Sequence, residues 1–133
     1  MSTNRVEIKV PGLGAALSHY TDVVRFGDLV FVSGCAAIDE NNQGVGEGDL
    51  VAQTEKVHEN LGLALRAAGA DFSDVLKVTV FMTDISRRAE VNEVRKKFFG
   101  AALPASTLIE VSALALPGLV VEIEAIAGIS AEV

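Results

Sequence analysis

The chemistry available to this sequence centres on one carboxylate, Glu122, which stands between Val121 and Ile123 in an apolar run that continues to Ala127. Two environments fit this position. If the run is an ordinary amphipathic strand, Glu122 faces solvent from the outer side, and alternation alone favours this arrangement. If the side chain is buried without a partner, burial is costly and raises the pKa of the carboxyl. In that second environment Glu122 is a candidate proton carrier.

Other reactive side chains are few and widely spaced. The single cysteine, Cys35, cannot form an intramolecular disulfide, and together with two histidines it does not supply the ligands of a metal site. His58 adjoins the apolar stripe of a helical pattern, so we expect a structural or surface histidine. The sequence contains no Gly-x-Ser-x-Gly elbow, no dinucleotide-binding fingerprint and no phosphate loop. If the protein is an enzyme, the sequence therefore predicts acid/base chemistry without a metal or another cofactor.

The composition predicts one domain that associates with copies of itself. A chain of 133 residues, of which 50% are hydrophobic, can bury one substantial core, so we expect a single domain over residues 1–133. Aromatic residues make up only 5%, so aliphatic side chains must build that core. Their surplus in a small domain indicates that some of them are buried between subunits.

The charge balance and the cysteine content limit partners and compartment. A formal net charge of -7 argues against binding to nucleic acid, which requires clustered lysine and arginine. No segment has the pattern of a secretion signal, and no apolar run approaches the roughly twenty residues that cross a bilayer. One cysteine fits a reducing cytosol, so we expect a cytoplasmic protein without membrane contact.

The elements that must position these groups follow from periodicity. Alternation predicts a first strand over 5–10, a tight hairpin over 23–33 that turns at Gly27, and a strand over 75–82. Apolar residues at three- and four-residue steps predict a helix that starts after Asp49 and ends at Gly69. A second helix is expected through Val91, Val94 and Phe98, with Asp84 or Ser86 as its cap.

The last part of the chain predicts two further strands. Extended segments precede and follow Pro117-Gly118, and their closeness in sequence suggests a hairpin-like pair. Taken together, the elements predict an α+β fold in which two helices cover one face of a single sheet.

The C-terminal motif resembles that of a known family. Pro104-Ala105-Ser106-Thr107-Leu108-Ile109-Glu110-Val111, then Leu116-Pro117, then Val121 to Ala127 is similar to the signature of the RidA/YjgF reactive-intermediate deaminases, and the similarity extends through most of the chain. The resemblance implies a chorismate-mutase-like mixed sheet with two helices packed on one face. It also implies a homotrimer with small-molecule pockets between its subunits.

The resemblance assigns candidate site residues position by position. Glu122 corresponds to the acid/base that passes protons while an enamine or imine is hydrolysed. The substrate-binding positions correspond to Tyr20, Ser33, Gly34, Asn92, Ser106 and Leu108. Tyr20 would donate to the ligand or pack on it, and Asn92 would bind the substrate or orient a loop. Without a ligand role, Tyr20 is a partly buried loop aromatic and Asn92 a polar residue on a helix face.

Two positions depart from the family pattern. Cys35 replaces the glutamine that usually follows Ser-Gly, and we interpret it as a small buried hydrophobe rather than a reactive thiol. Ser106 replaces the arginine that holds the substrate carboxylate, and a hydroxyl cannot match its charge, reach or bidentate geometry. His19, beside Tyr20, is the nearest candidate for a replacement cation or base.

Two functions fit these residues. The first is a cofactor-free hydrolase of the deaminase type, which acts on a small imine, enamine or related electrophile other than the carboxylated 2-aminoacrylate class. The alternative is a non-catalytic trimer that binds a small ligand or a partner. The retained Glu122, Tyr20 and Asn92 favour the hydrolase.

Overall fold

A computed structural model describes residues 4–130 and contains six strands and two α-helices. In chain order these are β1 (Arg5–Ile8), β2 (Val23–Phe26), β3 (Leu29–Ala36), α1 (Leu50–Ala67), β4 (Val75–Met82), α2 (Arg88–Phe99), β5 (Ala105–Glu110) and β6 (Val121–Gly128). The hairpin of β2 and β3, the strand β4 and both helices agree with the sequence predictions. The first strand is shorter than predicted, because the backbone N–H of Val10 donates to the carboxylate of Asp22 at 2.8 Å instead of joining the ladder.

Helix α1 starts and stops where its capping residues predict. The Asp49 side chain accepts a hydrogen bond from the backbone N–H of Ala52 at 3.0 Å, which satisfies one of the free donors of the first turn. At the other end Gly69 adopts a φ of 84°, a conformation that ends a helix without a Cβ penalty. Asp84 caps a short 3₁₀ turn, Ile85–Arg87, because its carboxylate accepts from the backbone N–H of Ser86. The prediction that Asp84 or Ser86 caps α2 itself is wrong, since Arg87 occupies the capping position of this helix and its side chain makes no capping hydrogen bond.

The strands form one mixed sheet in the order β1-β2-β3-β6-β4-β5. β6 lies between β3 and β4 and is antiparallel to both, whereas β5 is parallel to β4 at the edge of the sheet. The hairpin-like pairing of the last two strands that the sequence suggested is therefore wrong. A parallel β4–β5 pair needs a crossover, which α2 supplies, and the segment 111–120 then carries the chain back past β4.

Both helices cover the same face of the sheet. Side chains from α1, α2 and the four central strands form one aliphatic core on that face, and its most buried members include Val30, Val57, Leu61, Leu65, Val78, Val80, Val91 and Ile123. This agrees with the α+β arrangement expected from the order of elements.

The opposite face of the sheet, here called the open face, is covered by neither of the two helices in residues 4–130. Paired residues of neighbouring strands point to the same side, so the open face carries the apolar side chains Val24, Phe26, Leu29, Phe31, Phe81, Ile109 and Ile126. Phe31 is 42% exposed and Ile109 is 40% exposed. Aromatic and β-branched residues on this scale are more typical of a subunit interface than of a solvated surface.

His58 is buried between the two helices. It is 0% exposed, and its ring stacks on Phe98 at a centroid distance of 5.1 Å and meets Phe99 edge-on. Its Nδ1 lies 2.7 Å from the backbone oxygen of Thr54, which assigns the proton to Nδ1. The buried Nε2 has no hydrogen-bond partner among residues 4–130. The pKa of His58 is lowered to about 4, mainly by burial and to a smaller extent by the nearby positive charge of Arg95. The hydrogen bond to Thr54 acts in the opposite direction and raises the pKa.

We expect this histidine to make the fold sensitive to acid. Because the folded pKa is about 4 and the unfolded value is near 6.5, the unfolded chain binds the extra proton first. The contribution of His58 to the free energy of unfolding is therefore complete above pH 6.5 and falls by about 3 kcal/mol by pH 4.

His58→Phe keeps the aromatic stacking but cannot titrate, so it should lose clearly less stability than the wild type between pH 7 and pH 4.5. Urea unfolding at fixed protein concentration measures this difference. The exposed His19→Gln is the control and should follow the wild type. Parallel pH profiles for wild type and His58→Phe would exclude a role for His58.

Candidate active site

The site is built around a β-bulge in β3. Val32 pairs with Ala125 of β6, but the next ladder pair joins Cys35 to Ile123, so β3 has one residue more than β6 between these pairs. The extra residue lies in the Ser33-Gly34 step, where the small residues allow the strand to bend. The Ser33 hydroxyl donates to the backbone oxygen of Thr21 at 2.7 Å and fixes one side of the bulge.

Glu122 is in direct contact with this bulge. Its carboxylate packs on the backbone at Gly34, where an added Cβ would lie 2.8 Å from Cδ and 3.2 Å from Cγ of Glu122. Any side chain at position 34 would therefore overlap Glu122 in its observed position. The absence of a side chain at residue 34 is therefore what allows the carboxylate to lie against β3.

The Glu122 carboxyl is half-buried. Its environment therefore lies between the two that the sequence allowed, a solvent-facing strand position and a fully buried one. The side chain projects from the open face of the sheet, because its register partner Phe81 does so, and yet cavity walls shield it from solvent. Burial raises the pKa of this carboxyl, and the nearby Glu124 carboxylate raises the pKa further. A carboxyl that takes up a proton more readily than usual is better suited than an ordinary glutamate to exchange protons with a bound ligand.

A cavity of about 440 Å³ opens beside Glu122. Its walls come from the loop before β2, from the bulge of β3, from the segment before β6 and from β6 itself, and they include Leu17, Ser18, Tyr20, Ser33, Gly34, Ala36, Ile38, Ala115, Leu116, Leu119, Glu122 and Glu124. This volume lies within the range of small-ligand sites. Tyr20 is 48% exposed, and its hydroxyl lies 3.4 Å from the backbone nitrogen of Leu17.

Two buried amides of α1 hold the cavity walls in place. Gln53 donates to the backbone oxygen of Gly118 at 2.8 Å and accepts from the backbone N–H of Val120 at 2.9 Å. Asn60 donates to the backbone oxygens of Ala36 and Ile38, each at 2.9 Å. Polar side chains buried in a helix need partners of this kind, so the two amides fasten the segment before β6 and the end of β3 to the helix.

The remaining predicted site residues lie elsewhere in the protomer. Ser106 pairs with Val78 of β4, whereas Glu122 pairs with Phe81, and residues three apart on one strand point to opposite faces. Ser106 is therefore exposed at the edge of the sheet on the helix-facing side, with Leu108 two residues further along. Asn92 is exposed on α2 in a groove of about 390 Å³ that also includes Pro104, two residues before Ser106.

The candidate residues thus form two groups within one protomer. We call Tyr20, Ser33, Gly34 and Glu122 the carboxylate half-site, and Asn92, Ser106 and Leu108 the edge half-site. Strand β4 separates Glu122 from Ser106, and the cavity beside Glu122 and the groove beside Asn92 have no lining residue in common.

Cys35 is a buried side chain behind the bulge, as predicted. It is 6% exposed, and burial raises the pKa of its thiol to about 12, with smaller effects of the same direction from Glu122 and Asp22. The neutral thiol is a poor nucleophile. His19 is exposed and is not among the residues that line the 440 Å³ cavity.

Neither a cluster of metal ligands nor a membrane-spanning helix is present in the part of the chain that the structure describes. Within 4–130, no three His, Cys, Asp or Glu side chains lie together where they could hold a metal ion. Over the same range, no helix is long and apolar enough to cross a membrane.

Several residues that build this site have no obvious functional signature in the sequence. In the sequence, Gln53 and Asn60 look like polar positions on the solvent side of an amphipathic helix. Gln53 lies four residues before Val57, and Asn60 lies three residues after it, so both are on the buried face of α1. This spacing could have indicated that the two amides are buried. Leu116 and Leu119 flank the Pro117-Gly118 turn and line the cavity, which apolar residues on both sides of a turn could have indicated.

Comparisons with known proteins agree with the fold and with the motif. A solved structure of a Rid-family protein of unknown function, YyfA from Yersinia pestis, superposes with a TM-score of 0.87 at 31% identity and covers 94% of this chain and 99% of that one. The protein DfrA of Myxococcus xanthus is 43% identical over 114 residues, which cover 84% of this chain and 86% of DfrA. The mouse 2-iminobutanoate/2-iminopropanoate deaminase is 37% identical over 113 residues, which cover 85% and 83% of the two chains.

These similarities show that the protein has the α+β fold of the Rid proteins, a mixed sheet with two helices on one face. The family model described as endoribonuclease L-PSP matches residues 13–129, which is nearly the whole chain. The chain belongs to the RidA/YjgF family, and some of its relatives are named 2-iminobutanoate/2-iminopropanoate deaminases.

The contact between Gly34 and Glu122 leads to a prediction. Gly34→Ala should shift the Glu122 carboxylate into solvent, because the overlap involves the end of a flexible side chain rather than backbone. We expect the stability to change by only about 1 kcal/mol and the pKa of Glu122 to fall towards its ordinary value.

Carboxyl carbon shifts in an NMR pH titration measure this pKa, with Glu122→Gln identifying the signal. Gly44→Ala is the control, since an added Cβ there has nothing within 4 Å. An unchanged Glu122 titration in a folded Gly34→Ala variant would show that Gly34 does not set the position of the carboxylate.

Proposed function

We propose that the protein is a cofactor-free hydrolase of small imines or enamines, with Glu122 as the acid/base. The observation that carries the proposal is the half-buried Glu122 carboxyl, whose pKa is raised by burial and which lies against the backbone at Gly34 beside a cavity of ligand size. The naming of related proteins as imine deaminases supports the same reaction class.

Hydrolysis of a protonated imine needs proton transfers between the attacking water and the leaving nitrogen. Water adds to the carbon of the protonated imine while the Glu122 carboxylate takes one proton from the water, which gives a neutral carbinolamine. Glu122 then returns this proton to the nitrogen, and the C–N bond breaks with its electron pair on nitrogen. The hydroxyl proton passes through Glu122 to the departing ammonia, so the products are a carbonyl compound and an ammonium ion. An enamine is first protonated on carbon, and Glu122 in its acid form is the nearest donor. A carboxyl with a raised pKa suits both directions of this exchange.

The two half-sites support an assembly in which the ligand lies between subunits. A single protomer separates Glu122 from Ser106 by strand β4, so a site that uses both half-sites needs the edge half-site of a second copy. The uncovered apolar residues of the open face provide the surface for such contact. We propose a homotrimer, and the proposed compartment is the cytoplasm, where a single cysteine stays reduced.

Ser106 decides which substrates the site accepts. In place of the arginine of related deaminases it offers a neutral hydroxyl, so a substrate carboxylate has no cation to bind there. The proposed substrates are therefore imines or enamines outside the carboxylated 2-aminoacrylate class.

The assembly is tested by mutation of the open face. Sedimentation equilibrium should give three times the chain mass of 13.9 kDa. Phe31→Asp places a charge in the proposed interface and should dissociate the trimer. Val51→Asp is the control, because Val51 is 38% exposed but lies on α1. A wild-type protein that remains a monomer at micromolar concentration would remove the intersubunit site.

The chemistry is tested by restoring the missing cation. Ser106→Arg should raise kcat/KM for a carboxylated imine, generated in the assay from leucine by an amino-acid oxidase, by about ten- to a hundredfold, the usual effect of one charge-assisted contact. The same change at an exposed serine away from both half-sites, Ser73→Arg, should have no effect.

Glu122→Gln in the Ser106→Arg background should abolish the gain while the trimer persists. If Ser106→Arg binds a carboxylate ligand but accelerates no imine hydrolysis, the scaffold does not carry the chemistry. The protein would then be a ligand-binding member of the family.

A further inference from the structure

The cavity beside Glu122 has a one-sided charge. Two of its lining side chains, Glu122 and Glu124, are carboxylates, and none of the twelve is Lys, Arg or His. The two carboxylates are two residues apart on β6 and point to the same face, so each lies in the field of the other. The rise in the pKa of Glu122 has Glu124 as its second cause, in agreement with this geometry.

The rest of the cavity wall combines apolar side chains with neutral hydroxyl groups. Leu17, Leu116 and Leu119 are its largest aliphatic members, with Ile38 and two alanines, and the hydroxyls belong to Ser18, Tyr20 and Ser33. Glu122 is half-buried in this wall, whereas Glu124 is exposed at its rim. Where water is partly excluded, an opposite charge on a ligand is favoured and a like charge is repelled more strongly than in water.

The edge half-site of a second copy adds no charge to this cavity. Asn92, Ser106 and Leu108 are all uncharged. Three basic side chains lie near that edge of the sheet: Arg95 and Lys96 of α2, and Lys77 of β4. The Lys96 ammonium is paired with Glu93 at 2.9 Å. The Lys77 ammonium donates to the Thr107 hydroxyl at 2.6 Å, and Lys77 and Glu124 both line a neighbouring cavity. Among the described residues, Arg95 is therefore the one basic group of that groove without a carboxylate partner, and a binding test must include it.

We infer that this site selects cationic substrates that lack a carboxylate, namely the protonated imines of short alkyl amines. The inference rests on the proposed function and names its substrate class. Glu124 is the specificity-determining residue that attracts the cation, the leucine side chains receive the alkyl chain, and Glu122 handles the protons.

The reaction balances without a further reagent. One alkyl iminium ion and one water molecule give one carbonyl compound and one ammonium ion. The water oxygen forms a bond to carbon, Glu122 carries one proton from this oxygen to nitrogen, and the C–N bond breaks with its electron pair leaving on nitrogen. The second water proton leaves the oxygen for the nitrogen by the same route, so both sides carry a single positive charge.

The charge preference is tested first by binding alone. Two probes have the same branched alkyl group and opposite charge: 3-methylbutylammonium and 4-methylpentanoate. Titration calorimetry on the intact oligomer should show binding of the cation at least about tenfold tighter than that of the anion. Glu124→Gln should weaken cation binding roughly tenfold, and Glu55→Gln, which removes a carboxylate from α1 outside the cavity, should not.

Turnover is tested with a matched pair of imines. A flavin amine oxidase converts 3-methylbutylamine to an imine without a carboxylate, and an amino-acid oxidase converts leucine to the corresponding carboxylated imine. Semicarbazide traps the imine that has not yet been hydrolysed, so hydrolysis by the protein is measured as a decrease in the semicarbazone formed. We expect the wild type to accelerate only the first reaction, and Ser106→Arg to shift the preference towards the second.

The outcomes distinguish the charge preference from the hydrolysis. Tighter binding of the cation without turnover supports the charge preference and overturns the proposed hydrolysis. Equal or tighter binding of the anion, or no binding of either probe, overturns the charge preference. If the wild type binds the anion and Arg95→Gln does not, Arg95 replaces the missing arginine and the inference is wrong.

Discussion

The position of Glu122 depends on the double pairing of β6. This strand is hydrogen-bonded to β3 on one side and to β4 on the other. Its register therefore cannot shift without breaking the hydrogen bonds of both ladders. A slip of one residue would turn Glu122 towards the core and Ile123 towards the cavity. The cost of burying that carboxylate in an aliphatic core, together with the loss of Ile123 packing, fixes the register.

The bulge in β3 and the amides of α1 shape a cavity around this fixed group. The bulge supplies a backbone without a side chain at Gly34, and Gln53 and Asn60 hold the two flanking segments through hydrogen bonds to main-chain atoms. Loss of the Asn60 amide would leave the buried Ala36 carbonyl without this partner, which typically costs about 1–3 kcal/mol. Helix α1 therefore positions two segments of the cavity wall although it contributes no lining residue itself.

Local patterns predicted the elements but not their neighbours. Asp49 and Gly69 marked the ends of α1, and alternation marked β4 residue for residue, because capping and periodicity are properties of short segments. Alternation does not encode which strands pair, so the last two strands were assigned to each other although β4 lies between them. For the same reason the sequence could name Glu122 and Ser106 as site residues but could not indicate that one protomer points them to opposite faces. Alternation also favoured a solvated Glu122, since it carries no information on the cavity that shields this side chain.

The central place of β6 also affects the order in which the molecule can form. The ribosome makes this strand after every other element of the sheet, and until it arrives β3 and β4 each expose an unpaired edge. The β1–β3 meander and the β4–α2–β5 unit can form by short-range contacts, but they become one sheet only when the last strand inserts between them, a step dominated by contacts between distant parts of the chain. Glu122 enters the molecule with that strand. A nascent chain of this protein consequently has no acid/base group in place until its sheet is closed, and the exposed edges of β3 and β4 make this late stage the one most prone to aggregation.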